Sequence, residues 1–313
     1  MCWDNSDLRG EGNSNRRHSL QRTCDARTKA ELGPISALLD PEVPWRYWQA
    51  GVAMSAYLSG IYESRYLWIH LALSDLRSRW RRSFFGMAWS VIQPLGMTLL
   101  IALVFGRLFN QPILEYAPYI LSGMIVWEFF MSTLTGGALS FVRAEAYIKQ
   151  SQHPLAIYTL RTTLTNLMVL MMASLSLIGW VLLARPQNFG WCWLAALSIF
   201  PFVTLIAWPL ATCLAYIGTR FRDLPHALGL IMQAMWFVSP IYFQPSMFRD
   251  GGLGGLIDYT PIYHILEILR APLLNGDWPT TVNFAVSAAT AVAFYIIAVL
   301  VGMTWERKVI FYL

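Results

Sequence analysis

Side chains that could do chemistry are sparse in this 313-residue chain, and none forms a recognisable reaction centre. The sequence contains no GxxxxGK[ST] phosphate loop, no GxSxG nucleophile turn and no HExxH zinc helix. Its five histidines and four cysteines are scattered, without a pair at metal-ligand spacing. The sequence therefore predicts no catalytic residue, no metal site and no cofactor bound by this chain.

Glu128 stands out because it lies in the middle of an apolar stretch, residues 118–142. A charged side chain at the centre of a bilayer costs about 2.5–3.5 kcal/mol on insertion scales. We therefore expect Glu128 to face the protein interior or a watery path, or to stay protonated. Two interpretations remain open: it lines a path through the protein, or it makes a hydrogen bond between helices.

The composition indicates that most of the chain lies in a membrane. Hydrophobic residues make up 56% of it and charged residues only 13%, whereas soluble domains carry about 25% charge. A membrane-spanning helix needs about 20 mostly apolar residues. Six stretches qualify, which predicts an all-α integral membrane protein with six transmembrane helices: 87–106, 118–142, 162–184, 191–217, 226–246 and 282–304.

Basic residues predict the orientation of these spans, because short cytoplasmic loops collect Lys and Arg. Arg77, Arg79, Arg81 and Arg82 precede the first span, and further arginines follow the second and fourth. The loop at 110–117 has no basic residue. Both termini are thus predicted to be cytoplasmic. The first 40 residues are polar and mixed in charge, which predicts that residues 1–60 are a largely disordered cytoplasmic extension and not a nucleic-acid arm.

Two helices outside the spans are also predicted. Over 64–82, apolar residues such as Tyr66 and Leu73 recur on one face, which is typical of a helix in the headgroup plane. The alternative is a helix that only sets orientation. Over 259–279, Thr260 and Pro261 suit a helix start, and the following apolar run is too short to span. This predicts a re-entrant or surface-lying hairpin on the outer side.

The fifth span is bracketed by prolines. Pro225 suits a first helical turn, where a missing N–H costs nothing. Pro240 lies 15 residues later in the sequence, about 22 Å along a helix. We expect it to bend or end the helix near the outer leaflet.

Five stretches together resemble the ABC-2 type permeases, specifically the branch that exports polysaccharides such as O-antigen and capsule. The resemblance covers residues 62–313 and is carried by SDLRSRWRRSFFGMAWSVIQP, VFGRLFNQP, AYIKQSQHPLAIYTLR, GTRFRDLPHALGLIMQAMWFVSPIYF and TPIYHILEILRAPLLNG. It implies six transmembrane helices, a cytoplasmic interface helix, a coupling helix in the first cytoplasmic loop, and re-entrant outer helices between the fifth and sixth spans.

The resemblance also implies a function. Permeases of this kind are transport subunits without an ATPase of their own. They work as homodimers with two copies of a separate ABC ATPase, which uses ATP and Mg²⁺. The cargo would be a polysaccharide on a polyprenyl pyrophosphate lipid, moved across the bacterial inner membrane. Two alternatives remain: an ABC-2 permease for a smaller cargo such as a drug or lipid, and a polytopic membrane enzyme of glycan or lipid metabolism.

Residue roles follow from the same resemblance. Arg77, Arg79, Arg81 and Arg82 would flank the lipid pyrophosphate, unless they only set orientation. Glu128 would line the translocation path. His264, Glu267 and Arg270 would form an outer gate, unless Glu267 and Arg270 are a structural pair. The ATPase-coupling loop would consist of Tyr147, Ile148, Lys149, His153, Pro154, Leu155 and Tyr158.

Overall fold

A computed structural model describes residues 52–150, 153–245, 252 and 254–312. Within these residues the chain forms helices and turns, without a β-strand. The contacts divide the chain between Tyr57 and Leu58, and the account below concerns the part from Leu58 onwards. The predicted disorder of residues 1–51 lies outside the described residues. A helix, Val52–Glu63, begins inside the segment assigned to the extension.

Thirteen α-helices are named here in chain order among the described residues. They are α1 Val52–Glu63, α2 Arg65–Arg79, α3 Trp89–Leu108, α4 Ile113–Ala138, α5 Ser140–Arg143, α6 Glu145–Gln150, α7 Ala156–Ala184, α8 Trp193–Ala196, α9 Ile199–Arg220, α10 Leu224–Val238, α11 Gly254–Asp258, α12 Pro261–Arg270 and α13 Thr281–Tyr312. Short 3₁₀ turns occupy Gly86–Ala88 and Pro186–Asn188, and a π-helical turn, Ala271–Asn275, follows α12.

Five helical segments in the described residues are long and apolar enough to cross a membrane. They are Gly86–Leu108, Ile113–Ala138, Ala156–Ala184, Trp193–Arg220 and Thr281–Trp305. Five of the predicted spans are therefore confirmed as long apolar helices. The second begins five residues earlier than predicted, because Glu115 in its first turn pairs with Arg185 (Oε1 to Nη2, 3.0 Å) and is thereby accommodated.

The predicted fifth span is a shorter apolar helix, α10, of 15 residues. At 1.5 Å per residue it is about 22 Å long, less than the ~30 Å hydrocarbon core. Pro225 lies in its first turn, as predicted. The helix ends at Val238 because Ser239 precedes Pro240 and takes an extended backbone, with ψ 148°.

The bundle has two distinct ends. The basic end carries α2, α5 and α6, with Arg143, Arg161 and Arg220 nearby. The hairpin end carries α12 and the π-helical turn. Helix α7 runs from the basic end to the hairpin end, since Arg161 near its start pairs with Asp75 and Arg185, just after its end, donates to the Leu274 carbonyl.

Helix α4 lies at the centre, packed against α3, α7, α9 and α10. Small residues allow these helices to approach closely. On α3 the buried residues include Thr98, Ala102 and Gly106, spaced four apart. Between α4 and α9 the approach is tighter: a Cβ on Gly218 would lie 1.9 Å from the Ala138 carbonyl oxygen.

Helix α2 docks on α7 through polar contacts. Asp75 accepts two hydrogen bonds from Arg161, at 2.6 and 2.5 Å. Ala72 and Leu76 are buried on this docking side, whereas Tyr66 is exposed and Leu73 is half-buried. The apolar stripe predicted for this helix is thus divided between the docked and the open side, because the Asp75 contact fixes the helix rotation.

Candidate functional site

A cavity of about 240 Å³ opens between α3, α4, α7 and α10. Four tryptophans lie in its wall, together with amides, hydroxyls and one carboxylate. They are Trp80, Trp89, Trp127 and Trp236, and Ser90, Gln93, Glu128, Ser132, Asn166 and Gln233. The wall therefore combines flat aromatic faces with hydrogen-bonding groups, a combination that suits polyhydroxylated molecules.

Glu128 lies in the wall of this cavity and is exposed there. Its Oε1 accepts a hydrogen bond from Ser132 Oγ at 2.9 Å. Most of the neighbouring α4 residues, such as Trp127 and Phe129, are buried in the bundle. The structure thus places the charged residue on an open side of the central helix.

Three polar atoms of the cavity residues are buried without a hydrogen-bond partner among the described residues: Ser90 Oγ, Trp127 Nε1 and Trp236 Nε1. An unsatisfied buried donor costs about 1–3 kcal/mol, so a ligand in this cavity that bonds these atoms would recover that cost. In the sequence, only the 14% aromatic content pointed to these tryptophans, because the spacing of Trp80, Trp89, Trp127 and Trp236 follows no motif.

A second cavity of about 490 Å³ lies at the basic end. Arg79, Ser132 and Asn166 line both cavities, so the two adjoin. Cations and hydroxyls dominate the second wall, which includes Arg143, Arg161, Ser78, Thr135, Thr162 and Tyr158. Such a wall favours anionic or hydroxylated groups.

Of the four arginines expected near a lipid pyrophosphate, Arg79 lies in the walls of both cavities and donates to Asn166 Oδ1 at 3.2 Å. Arg77, Arg81 and Arg82 are exposed and line neither cavity. All four arginines are therefore exposed, and Arg79 is the one of them that also lines the two cavities.

The first part of the predicted coupling loop is the short helix α6. Tyr147 is 47% exposed there, and Ile148 is half-buried. Lys149 Nζ lies 2.5 Å from Glu145 Oε1, and this hydrogen bond lowers the pKa of the Glu145 carboxyl below its usual value. The exposed face of α6 thus presents an aromatic ring beside a neutralised ion pair.

The second part of the loop is packed within the chain. Leu155 and Tyr158 are only 7% and 2% exposed. His153 Nδ1 lies 3.3 Å from Ser64 Oγ, and a Cβ on Gly60 would lie 3.2 Å from Pro154 Cγ. The turn at His153 and Pro154 therefore rests against the start of α2 and the end of α1, and Leu155 and Tyr158 are core side chains.

The three residues expected at an outer gate have different surroundings. His264 is buried, with Nδ1 2.9 Å from Asn283 Oδ1 of α13 and Nε2 2.9 Å from the Asp258 carbonyl. Arg270 is 2% exposed and contacts α4. Glu267 is half-buried on the same helix. The predicted helix start at Thr260 and Pro261 is confirmed.

The fold defines a class of protein: a multi-pass helical protein whose long apolar helices suit a membrane, with polar cavities between them. The chain belongs to the ABC-2 type transporter family, whose members match residues 66–274.

Named relatives support this assignment. The O-antigen export system permease protein RfbA of Myxococcus xanthus is 26% identical over 239 residues, covering 74% of this chain and 89% of that protein. A protein of the same name from Klebsiella pneumoniae is 22% identical over 204 residues, 64% of this chain and 78% of the relative. The polysialic acid transport protein KpsM of Escherichia coli is 19% identical over 244 residues, which cover 76% of this chain and 91% of that protein.

Proposed function

We propose that this chain is the permease subunit of an ATP-driven ABC exporter that moves a lipid-linked polysaccharide of the O-antigen or capsule type across the bacterial inner membrane. The names of the relatives support the cargo class. The observation that carries the proposal is the cavity in which four tryptophans face Gln93, Glu128 and Gln233. Aromatic faces stack on sugar rings, and the amides and carboxylate can bond sugar hydroxyls.

The active assembly is a homodimer with two copies of a separate ATPase. Glu128 supports the dimer, because a carboxylate exposed on a spanning helix is costly against lipid. Helix α10 also has little cover within one chain, with Leu230, Ile231 and Gln233 exposed. A second copy facing α10 and Glu128 would enclose the cavity wall and complete a polar path.

The chain crosses the membrane six times, with both termini cytoplasmic. Helix α10 supports the sixth crossing although it is short. Pro225 at its start lines the basic-end cavity, and Pro240 just after it accepts a hydrogen bond from Arg270 at the hairpin end. In this orientation the basic end is cytoplasmic and α12 with its π-helical turn forms the re-entrant outer element.

Three groups of residues have separate roles in export. Arg77, Arg79, Arg81 and Arg82 attract the pyrophosphate of the carrier lipid, and Arg79 meets it at the junction of the two cavities. Tyr147, Ile148 and Lys149 contact the ATPase, while His153, Pro154, Leu155 and Tyr158 transmit the displacement through their packing. His264, Glu267 and Arg270 hold the outer gate.

Surface polymer per permease tests this proposal in cells that carry the cognate ATPase. Trp89→Ala removes an aromatic face that lines the cavity, and we expect export to fall about tenfold, a loss of ~1–2 kcal/mol of stacking. Trp191→Ala is the matched control, because Trp191 is 83% exposed and outside the cavity. Normal export by a normally expressed Trp89→Ala variant would count against a glycan path, and a change in drug tolerance alone would favour the smaller cargo.

A further inference from the structure

The chain leaves helical geometry at the hairpin end, directly after α10. Ser239, Ile241 and Tyr242 are 4%, 0% and 9% exposed. We call residues 239–243 the break segment. Buried non-helical backbone is costly at membrane depth unless protein groups satisfy its carbonyls. The break segment must therefore find hydrogen-bond donors from elsewhere in the chain.

Three side chains supply those donors. Tyr116 Oη donates to the Tyr242 carbonyl at 2.7 Å. Tyr119 Oη lies 3.0 Å from both the Pro240 and the Phe243 carbonyls. Arg270 Nη1 donates to the Pro240 carbonyl at 2.8 Å. Together they account for the carbonyls of residues 240, 242 and 243, and they come from α4 and α12.

Arg270 connects α12 to α4 as well as to the break segment. Its Nε donates to Ser122 Oγ at 3.0 Å, and its Nη2 donates to the Tyr119 carbonyl at 3.1 Å. Its Cζ lies 3.8 Å from the centroid of the Tyr119 ring. A guanidinium offers five donors in a fixed fork and stacks on aromatic faces, which the point charge of lysine does not. The site thus requires arginine geometry as well as a positive charge.

The space around Arg270 is too small for a side chain at position 123. A Cβ on Gly123 would lie 2.9 Å from Arg270 Nη2 and 2.9 Å from Ile241 Cγ2. Glycine at this position of α4 is what allows the guanidinium and the break segment to approach the helix backbone together.

The break segment in turn contacts the wall of the tryptophan-lined cavity. The Tyr242 ring stacks on Trp236, with centroids 5.4 Å apart and planes at 17°. On another side it stacks on Phe105 at 5.8 Å and 18°. Trp236 lines the cavity. A continuous contact therefore runs from Arg270 through Pro240 and Tyr242 to Trp236.

We infer that Arg270, with Tyr119, is a positioning residue that clamps the break segment on α4 and thereby fixes the orientation of Trp236 in the cavity wall. The inference that this wall meets sugar rests on the proposed function, whereas the clamp itself does not. When the clamp is broken, the Pro240 and Phe243 carbonyls lose donors on either side of Tyr242, so the Tyr242 ring loses its fixed place against Trp236. Export then falls without any direct contact between Arg270 and the cargo.

Cysteine labelling tests the clamp independently of cargo. Ile241→Cys is introduced into purified permease–ATPase complex whose native cysteines are replaced by serine, and a hydrophilic maleimide is applied. We expect slow labelling with native Arg270 and about tenfold faster labelling with Arg270→Gln, since buried unsatisfied carbonyls open the segment. Arg270→Lys should be intermediate. Arg185→Gln, at the other arginine of this end, is the control and should label slowly.

Tyr119→Phe serves if Arg270→Gln fails to assemble, because it removes the hydroxyl and keeps the ring. Labelling of Ile241→Cys should again rise. Slow labelling in both Arg270→Gln and Tyr119→Phe overturns the clamp.

A double-mutant cycle on export tests the link to Trp236. If Arg270 acts through Trp236, Trp236→Ala and Arg270→Gln should each lower surface polymer severalfold, and together no more than either alone. Trp236→Ala with Arg185→Gln should be additive. Additive losses for Arg270 and Trp236 overturn the positioning role. Normal export by Trp236→Ala with fast labelling of Arg270→Gln supports the clamp and contradicts the proposed sugar path instead.

Discussion

Arg161 at the basic end and Arg270 at the hairpin end are held in different ways. At the basic end, Arg161 pairs with the Asp75 carboxylate, and both side chains are partly exposed. At the hairpin end, all three guanidinium nitrogens of the buried Arg270 donate to oxygens of α4 or of the break segment. A partly solvated ion pair can separate and re-form at low cost, whereas a buried guanidinium cannot. The Asp75–Arg161 pair can therefore break at a lower cost than the Arg270 contacts.

Alanine substitutions at buried glycines test how closely the helices pack. Gly218→Ala should cause the largest loss in the free energy of unfolding. Its Cβ would lie 1.9 Å from the Ala138 carbonyl oxygen, which is backbone and cannot rotate away. We expect a loss of about 2–4 kcal/mol in the free energy of unfolding. The thermal midpoint of the purified protein checks this. Gly179→Ala is the control, since its Cβ meets nothing within 4 Å, and an unchanged midpoint for Gly218→Ala would contradict the close packing.

Gly123→Ala should destabilise the protein less than Gly218→Ala, although Gly123 lies beside Arg270 at the hairpin end. Its Cβ would meet two side-chain atoms at 2.9 Å, Arg270 Nη2 and Ile241 Cγ2, and side chains yield more readily than backbone. We expect a loss of about 1–2 kcal/mol. If Gly123→Ala destabilises more than Gly218→Ala in the same assay, the hairpin end is more rigid than the helix contact.

The Asp75–Arg161 pair should contribute less, because water screens it. Arg161→Leu should lower the free energy of unfolding by about 0.5–1 kcal/mol. Exchanging the charges, with Asp75→Arg and Arg161→Asp together, should recover part of this loss. Glu145→Gln breaks the more exposed Lys149 pair and should leave the thermal midpoint almost unchanged. Equal effects at the two pairs would show that α2 is not held by Asp75.

Tyr147→Ala should have the smallest effect on stability and a selective effect on assembly. Tyr147 is exposed, so we expect the free energy of unfolding to change by less than about 0.5 kcal/mol. Copurified ATPase per permease should fall if the ring is an interface anchor. Leu155→Ala is the contrast: it empties a buried site and should lower the thermal midpoint. If Tyr147→Ala copurifies with a normal amount of ATPase, α6 is not part of the interface.

Much of the fold could be predicted because it rests on local rules. Apolar runs located five long helices, Pro225 and Pro240 marked the bounds of α10, and Thr260 with Pro261 marked the start of α12. These signals act within a few residues of the feature that they predict.

The site was less accessible to sequence reasoning because its contacts are distant along the chain. Arg270 meets the carbonyl of Pro240, and a carbonyl has no sequence signal. The sequence predicts Leu155 and Tyr158 as anchors for a partner because they are apolar residues in a polar loop. In the fold they are buried within this chain. The four tryptophans meet only after folding. Which face of α2 docks was set by Asp75 and its partner 86 residues away.

Photocross-linking of the cargo tests the central claim most directly, that the tryptophan-lined cavity is the path of a lipid-linked polysaccharide. A benzophenone amino acid replaces Gln233, which lines the cavity, or Leu183, which is exposed elsewhere on the spans. Permease, ATPase and carrier-linked polysaccharide are illuminated during ATP-driven export. The account predicts polysaccharide adducts at position 233 and not at position 183. Adducts at neither position, or equally at both, during normal export would contradict it.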